Sequence, residues 1–170
     1  GFLSMTKVLI TGADGFIGRA VCDCMIANSH SVRACVQNCA CMEKMPEGVD
    51  VVEIVDMRNY AHWNDALAGV DVVIHLAARV HVLKETSYDP LTEYRSVNVL
   101  ATKNLAEEAV KAGVKRFVYI SSVGVNGEPR VCAQTFVRRF SESDKPNPHN
   151  PYSVSKYEAE LALLDISNNT

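Results

Sequence analysis

Apolar residues along this chain fall into two rhythms. Five short runs are almost continuously apolar: Lys7–Thr11 (KVLIT), Ser31–Val36 (SVRACV), Val51–Val55 (VVEIV), Val70–Leu76 (VDVVIHL) and Arg116–Ser121 (RFVYIS). Runs of this length and content predict strands buried on both faces, as in a parallel sheet. Between them the apolar spacing lengthens to three or four. A helix is predicted from the glycine-rich GADGFIG to about Asn28, and a short one around Tyr60–Leu67. A long amphipathic helix is predicted from about Leu91 to Ala112, with apolar or small residues at positions 91, 94, 97, 101, 105 and 109 and with Gly113 as its C-cap. A loop rich in Pro, Asn and Gly then leads to a last helix from about Tyr152.

Strand and helix alternate throughout, which predicts an α/β fold: one parallel sheet, right-handed crossovers and helices on both faces. The first two units have the arrangement of a doubly wound (Rossmann) nucleotide-binding fold. No repeat or low-complexity tract interrupts residues 1–170, so a single domain is expected. Gly1–Ser4, ahead of Met5, are expected to be an added leader outside the fold.

Composition narrows the partners more than the fold. The 170 residues are 48% hydrophobic and 22% charged, a globular balance. Net charge is −3, and no basic block stands out beyond Arg138-Arg139, which argues against a nucleic-acid partner. The longest apolar runs, such as that ending at Ala78, are too short to span a bilayer. No charged segment followed by an apolar one opens the chain, so a cytoplasmic location is expected. Six cysteines and five histidines raise the question of a metal. Cys22 and Cys24 sit at i and i+2 of a predicted helix and point apart. Cys39 and Cys41 lack a partner at zinc spacing, and no HExxH occurs. No metal site is expected, and the thiols are expected to be reduced.

Thr11–Gly18 reads TGADGFIG, a glycine turn that follows a buried strand and opens a helix. Gly12 can make the tight turn, Gly15 lets backbone approach a pyrophosphate, and Gly18 lets helix pack on strand. The helix amides then face the phosphates. A tight turn without a ligand is the plainer alternative. Near the end of the chain, PYSVSK puts Tyr152 and Lys156 four positions apart, on one helix face. A phenol with a pKa near 10 is a poor base unless a nearby ammonium stabilises its anion. An ordinary exposed pair is the competing reading, and the serines that end the fifth strand weigh against it.

These segments together resemble the short-chain dehydrogenase/reductase superfamily, in its extended branch of sugar-nucleotide epimerases and dehydratases. The glycine spacing of TGADGFIG, HLAA at 75–78, NVLATKNL at 98–105, VYISSVGVNG at 118–127 and PYSVSK occur in the family's order. The resemblance implies a cofactor site built from Gly12, Asp14, Gly15, Phe16, Ile17, Gly18, Asp56, Met57, Leu76, Ala77, Ala78, Asn98 and Ser121, together with Tyr152 and Lys156. It implies that Tyr152 is the general base, with Lys156 lowering its pKa and holding the nicotinamide ribose, and that Ser122 fixes the substrate oxygen. Asp56 has a helix N-cap as its alternative role, and Asn98 a plain mid-helix amide. His75 and His81 are read as structural. Arg79 could contact either ligand.

Gln37 and Asn38 stand where NAD-binding members of this fold carry an acid, and the first acid beyond them is Glu43. Arg33 and Lys44 do not decide for NADP, so the cofactor is left as NAD or NADP. Dehydratases of the branch resemble one another in carrying Asp-Glu after the active-site serine. Val123-Gly124 at that place points instead to a nucleotide-sugar epimerase like UDP-glucose 4-epimerase, acting on a UDP-sugar. An NAD(P)H-dependent reductase of a keto-sugar or another ketone is the runner-up, and FSESD at 140–144 favours a sugar. A non-catalytic NAD(P)-sensing or scaffold protein would need the glycine turn but not Ser122, Tyr152 and Lys156. The resemblance also implies a C-terminal substrate domain that is absent from this chain. Cofactor binding is therefore expected with little or no epimerase activity. A homodimer is expected through the long helix and the last helix, with the sheet edge after the fifth strand favouring self-association.

Overall fold

A computed structural model describes residues 5–38, 40, 45–80, 89–127 and 140–170. Five strands form one parallel sheet: β1 (Lys7–Thr11), β2 (Ser31–Val36), β3 (Asp50–Glu53), β4 (Val72–His75) and β5 (Arg116–Tyr119), in the order β3-β2-β1-β4-β5. The order reverses between β1 and β4. In an open doubly wound sheet that point leaves a crevice outside the carboxyl ends of the strands.

Continuous apolar runs are needed because both faces are covered. Val8 and Ile10 pack with Cys22 of α1 (Phe16–Ala27), Val32, Ala34 and Val36 on one side. Leu9 points the other way, into a core with Trp63, Leu67, Val73, Leu105 and Ala109. That second core is closed by α2 (Trp63–Ala66) and by α4 (Thr102–Lys111), the last part of a long helical stretch that begins with α3 (Pro90–Arg95) and a π-helical segment (Ser96–Ala101). The last helix is α5 (Pro151–Asn168).

Several boundaries differ from the sequence expectation, and β4 and β5 are each shorter than the apolar runs that mark them. The third strand ends at Glu53 rather than Val55, although Ile54 still donates to the Val36 carbonyl. The helix expected around Tyr60–Leu67 shortens to α2, preceded by a separate 3₁₀ turn (Met57–Asn59), with Trp63 buried in the core and Tyr60 edge-on against it. The long helix is not uniformly α-helical. Its π segment buries Asn98, at 1% exposure, where the plain period put Val97 inside. Its end follows expectation: Gly113 has φ +75°, its amide donates to Val110, and Val114 donates to Ala109, a Schellman closure.

Cys22, Cys24 and Cys35 are free thiols, and burial pushes Cys22 and Cys35 up to about 11 and about 12, which leaves them unreactive. Cys39, Cys41, Cys132, His81, Glu43, Lys44 and Arg138-Arg139 lie outside the described residues. Among the described residues no cluster of three metal-ligating side chains occurs, and no helix is long and apolar enough to cross a membrane.

Candidate active site

At the crevice, β1 runs straight into the glycine turn. Gly12 sits at φ +66°, and a Cβ there would lie 2.8 Å from the Ala77 amide nitrogen. A Cβ on Gly18 would collide with the Gly12 carbonyl and stand 2.7 Å from Ala13 Cα. Gly15 is exposed to the crevice and caps α1 without a side-chain hydrogen bond, so the first helix amides remain for an anion. Asp14 accepts from the Gln37 amide, fastening the turn to the end of β2. At Gly12 and Gly18 a side chain would run into backbone, so the glycines keep this turn tight, and the amides it leaves free at the start of α1 fit a dinucleotide pyrophosphate.

The crevice has a volume of about 840 Å³. It is lined by every residue assigned to the cofactor from the sequence except Asn98, and by Tyr152 and Lys156. Phe16 is 97% exposed at its mouth. Asp56 reaches the lining but is also the N-cap of the 3₁₀ turn, accepting from the Arg58 amide and gripping the Arg58 guanidinium through both oxygens. Arg58 and Glu93 line the crevice too, and nothing in their sequence context pointed there. Asn98 stands behind the wall: its Oδ1 accepts from the Arg79 amide, and its Nδ2 donates to the Arg79 carbonyl and to Ser155 Oγ. It shapes the backbone after β4 and has no face on the crevice. Arg79 itself lines the crevice and lies over the Tyr94 ring.

At the end of β2, Gln37 is exposed and donates to the Val55 carbonyl. Arg33 faces away, paired with Asp50 at 2.7 Å and donating to the Ala66 carbonyl. It is therefore committed beneath the sheet edge rather than offered to a ribose phosphate.

Tyr152 lies in the first turn of α5. That helix starts sharply because the Asn150 side chain accepts from Ser153 and Pro151 occupies the first helical position. Ser122 ends the fifth-strand segment and caps a 3₁₀ turn (Val123–Asn126) by accepting from the Gly124 amide. Gly124 lets the two pieces meet, since a Cβ there would run into Ser153 Oγ. Ser122 and Tyr152 share a hydrogen bond. The Tyr94 ring stands edge-on at 6.1 Å and sets the phenol's orientation.

Burial holds the Tyr152 phenol above its ordinary value, and the Ser122 hydrogen bond pulls in the opposite direction. The Lys156 ammonium is turned to the Ile120 carbonyl at 2.6 Å and to the face of Tyr119. Burial brings Lys156 down to about 8, with Glu160 opposing. Ser121 donates to Glu160, a contact that the sequence did not suggest because the two lie on different elements. His75 is structural, as expected: it is fully buried between Thr11 and Thr102.

Comparison with known proteins agrees with this geometry. A model of the NAD dependent epimerase/dehydratase family matches residues 8–170. The UDP-glucose 4-epimerase of Vibrio cholerae is 34% identical over 165 residues, 96% of this chain and 48% of that protein. The 3-beta-hydroxysteroid dehydrogenase of Mycolicibacterium neoaurum is 34% identical over 123 residues, 70% of this chain and 32% of that protein. Among solved structures, MoeE5 in complex with UDP-glucose and NAD superposes with a TM-score of 0.78 at 34% identity, covering 95% of this chain and 49% of that one. The chain thus spans about half the length, or less, of the relatives it matches.

Proposed function

Because this chain belongs to the NAD dependent epimerase/dehydratase family, we propose that it is the cofactor-holding part of a nucleotide-sugar epimerase that uses NAD or NADP and acts on a UDP-sugar. The observation that carries the reading is the hydrogen bond from the capping Ser122 to Tyr152, whose side chain lines the same crevice that the glycine turn opens. Gly12, Gly15 and the first turn of α1 would hold the pyrophosphate, and Asp56 with Met57 the adenine side. When bound, the nicotinamide accepts and returns a hydride. Tyr152 takes the proton from the sugar hydroxyl and gives it back, and Ser122 keeps that oxygen in reach. Lys156 would hold the nicotinamide ribose from the same helix face as Tyr152. No carboxylate follows Ser122 in the Val123–Asn126 turn, so the elimination step of a dehydratase has no base there.

The UDP-sugar pocket would come mostly from the region that relatives possess beyond their matched half, so the 170-residue chain should bind cofactor with little turnover. A homodimer would form through α4, α5 and the π segment, where Leu100 and Leu161 are 63% and 48% exposed. The open side of β5 adds a cleft of about 600 Å³ lined by Val110, Leu163 and Leu164.

Titration calorimetry with NAD⁺, NADP⁺ and UDP-glucose, on this chain and on a version lengthened to match its relatives, tests the reading. Binding of one dinucleotide by both chains is expected, with epimerisation only in the longer one. Tyr152→Phe should cost about 10²–10⁴-fold in turnover while leaving dinucleotide affinity within a few fold. Absence of dinucleotide binding, or full turnover by Tyr152→Phe, would overturn it. The similarity to a steroid dehydrogenase favours a second reading, reduction of a ketone. Net consumption of NAD(P)H during turnover would select it.

A further inference from the structure

We propose that Tyr119 is a positioning residue for Lys156, its ring being the seat on which the ammonium rests, and that His75 fixes this ring to the strand that opens the glycine turn. Thr11, His75 and Tyr119 are direct register partners across β1, β4 and β5, each the last residue of its strand. Partners in register share a face of the sheet, and here the row lies against Thr102 of α4 and Lys156 of α5.

The row is held at one end by hydrogen bonds whose direction can be assigned. Thr11 Oγ1 accepts from the amides of Leu76 and Ala77, so its own hydrogen goes to His75 Nδ1, 2.6 Å away. His75 Nε2 then carries the ring proton and donates to Thr102 Oγ1 at 2.8 Å. The neutral imidazole stacks on Tyr119 with 5.7 Å between centroids and 29° between planes. Lys156 Nζ stands 4.1 Å from the Tyr119 centroid while donating to the Ile120 carbonyl. A ring face and a carbonyl together satisfy a buried ammonium and leave its remaining N–H for the crevice.

The hydroxyl of Tyr119 is buried with no hydrogen-bond partner among the described residues. What the position uses is therefore the ring. Thr11 and Ala77 touch the glycine turn, so a single hydrogen-bonded and stacked row links the phosphate cradle to the lysine.

The inference rests on the proposed cofactor site only for its consequence in binding, and the test separates the two. Lys156 is followed by ¹³C,¹⁵N NMR of its ε-methylene and ammonium groups, with the pKa measured in the parent, Tyr119→Phe and Tyr119→Leu. The other ionisable groups near that ammonium are Glu160 and Tyr152 on α5, with His75 on β4 and Tyr119 itself on β5. The Leu variant keeps apolar bulk without a negative ring face, so its Lys156 pKa should fall by about one unit, and NAD⁺ affinity should weaken about threefold to tenfold. The Phe variant should restore both. Where the Leu variant fails to fold, phenylalanines of increasing fluorination at position 119 grade the ring face at constant shape, and the Lys156 pKa should drop stepwise. A folded Leu variant with an unchanged Lys156 pKa, a Phe variant as damaged as Leu, or a flat fluorination series would overturn the proposal. Failure of NAD⁺ to bind the parent would instead count against the cofactor site and leave the Lys156 result standing.

Discussion

His75 shows how a single buried side chain ties stability to pH. Burial, aided by the nearby Lys156 charge, holds its folded pKa at about 3 against 6.5 for a free imidazole. Between those values the unfolded chain binds a proton that the folded chain refuses. Stability should therefore fall as pH drops below 6.5, by up to about 1.4 kcal/mol per unit. Urea unfolding between pH 6.5 and 5.5 should show this slope, and His75→Gln should flatten it; an equal slope in both proteins would assign it elsewhere. Lys156 acts in the same sense at the alkaline end. Its folded pKa is about 8 against 10.5, so stability should rise as pH climbs through that window. Much of the crevice was legible at this scale, because glycines at 12, 15 and 18 and the Tyr152–Lys156 spacing each demand a particular backbone or helix face. Asn98 was not. Its neighbours are apolar, and its role depends on Arg79 and Ser155, which other segments bring to it.

Among the elements, the glycine turn is the least tolerant of change. Gly18 packs where α1 crosses Gly12 and Ala13, and a methyl group would have to displace backbone. Gly18→Ala should lower stability by about 1–3 kcal/mol in urea unfolding and weaken dinucleotide affinity by at least about tenfold. Unaltered affinity would mean that the α1 terminus is not the anion site. Strand identities and the order of elements were legible because burial on both faces leaves an unbroken apolar signature. Strand ends were not, since Val55 is as apolar as Val36 yet is 67% exposed at the crevice rim. The π segment also escaped detection. Widening one turn rotates Asn98 inward, and the apolar period from Leu91 to Ala109 has no mark for that change.

For the whole molecule, the exposed Leu100 and Leu161 and the open edge of β5 all bear on assembly. Light scattering should report a dimer, and Leu161→Lys should shift it toward monomer without changing the unfolding midpoint of the isolated fold. A monomeric parent would remove the helix-mediated dimer from the account. The proposed function requires the crevice between β1 and β4 to hold a dinucleotide so that its nicotinamide meets Tyr152. The most direct measurement is a crystal structure of the chain soaked with NAD⁺ or NADP⁺. The account predicts pyrophosphate on the amides of the Gly12–Gly18 turn, the ribose against Lys156 and the nicotinamide beside the Tyr152 hydroxyl. A dinucleotide bound elsewhere, or a Tyr152 hydroxyl turned away from the ring, would contradict it.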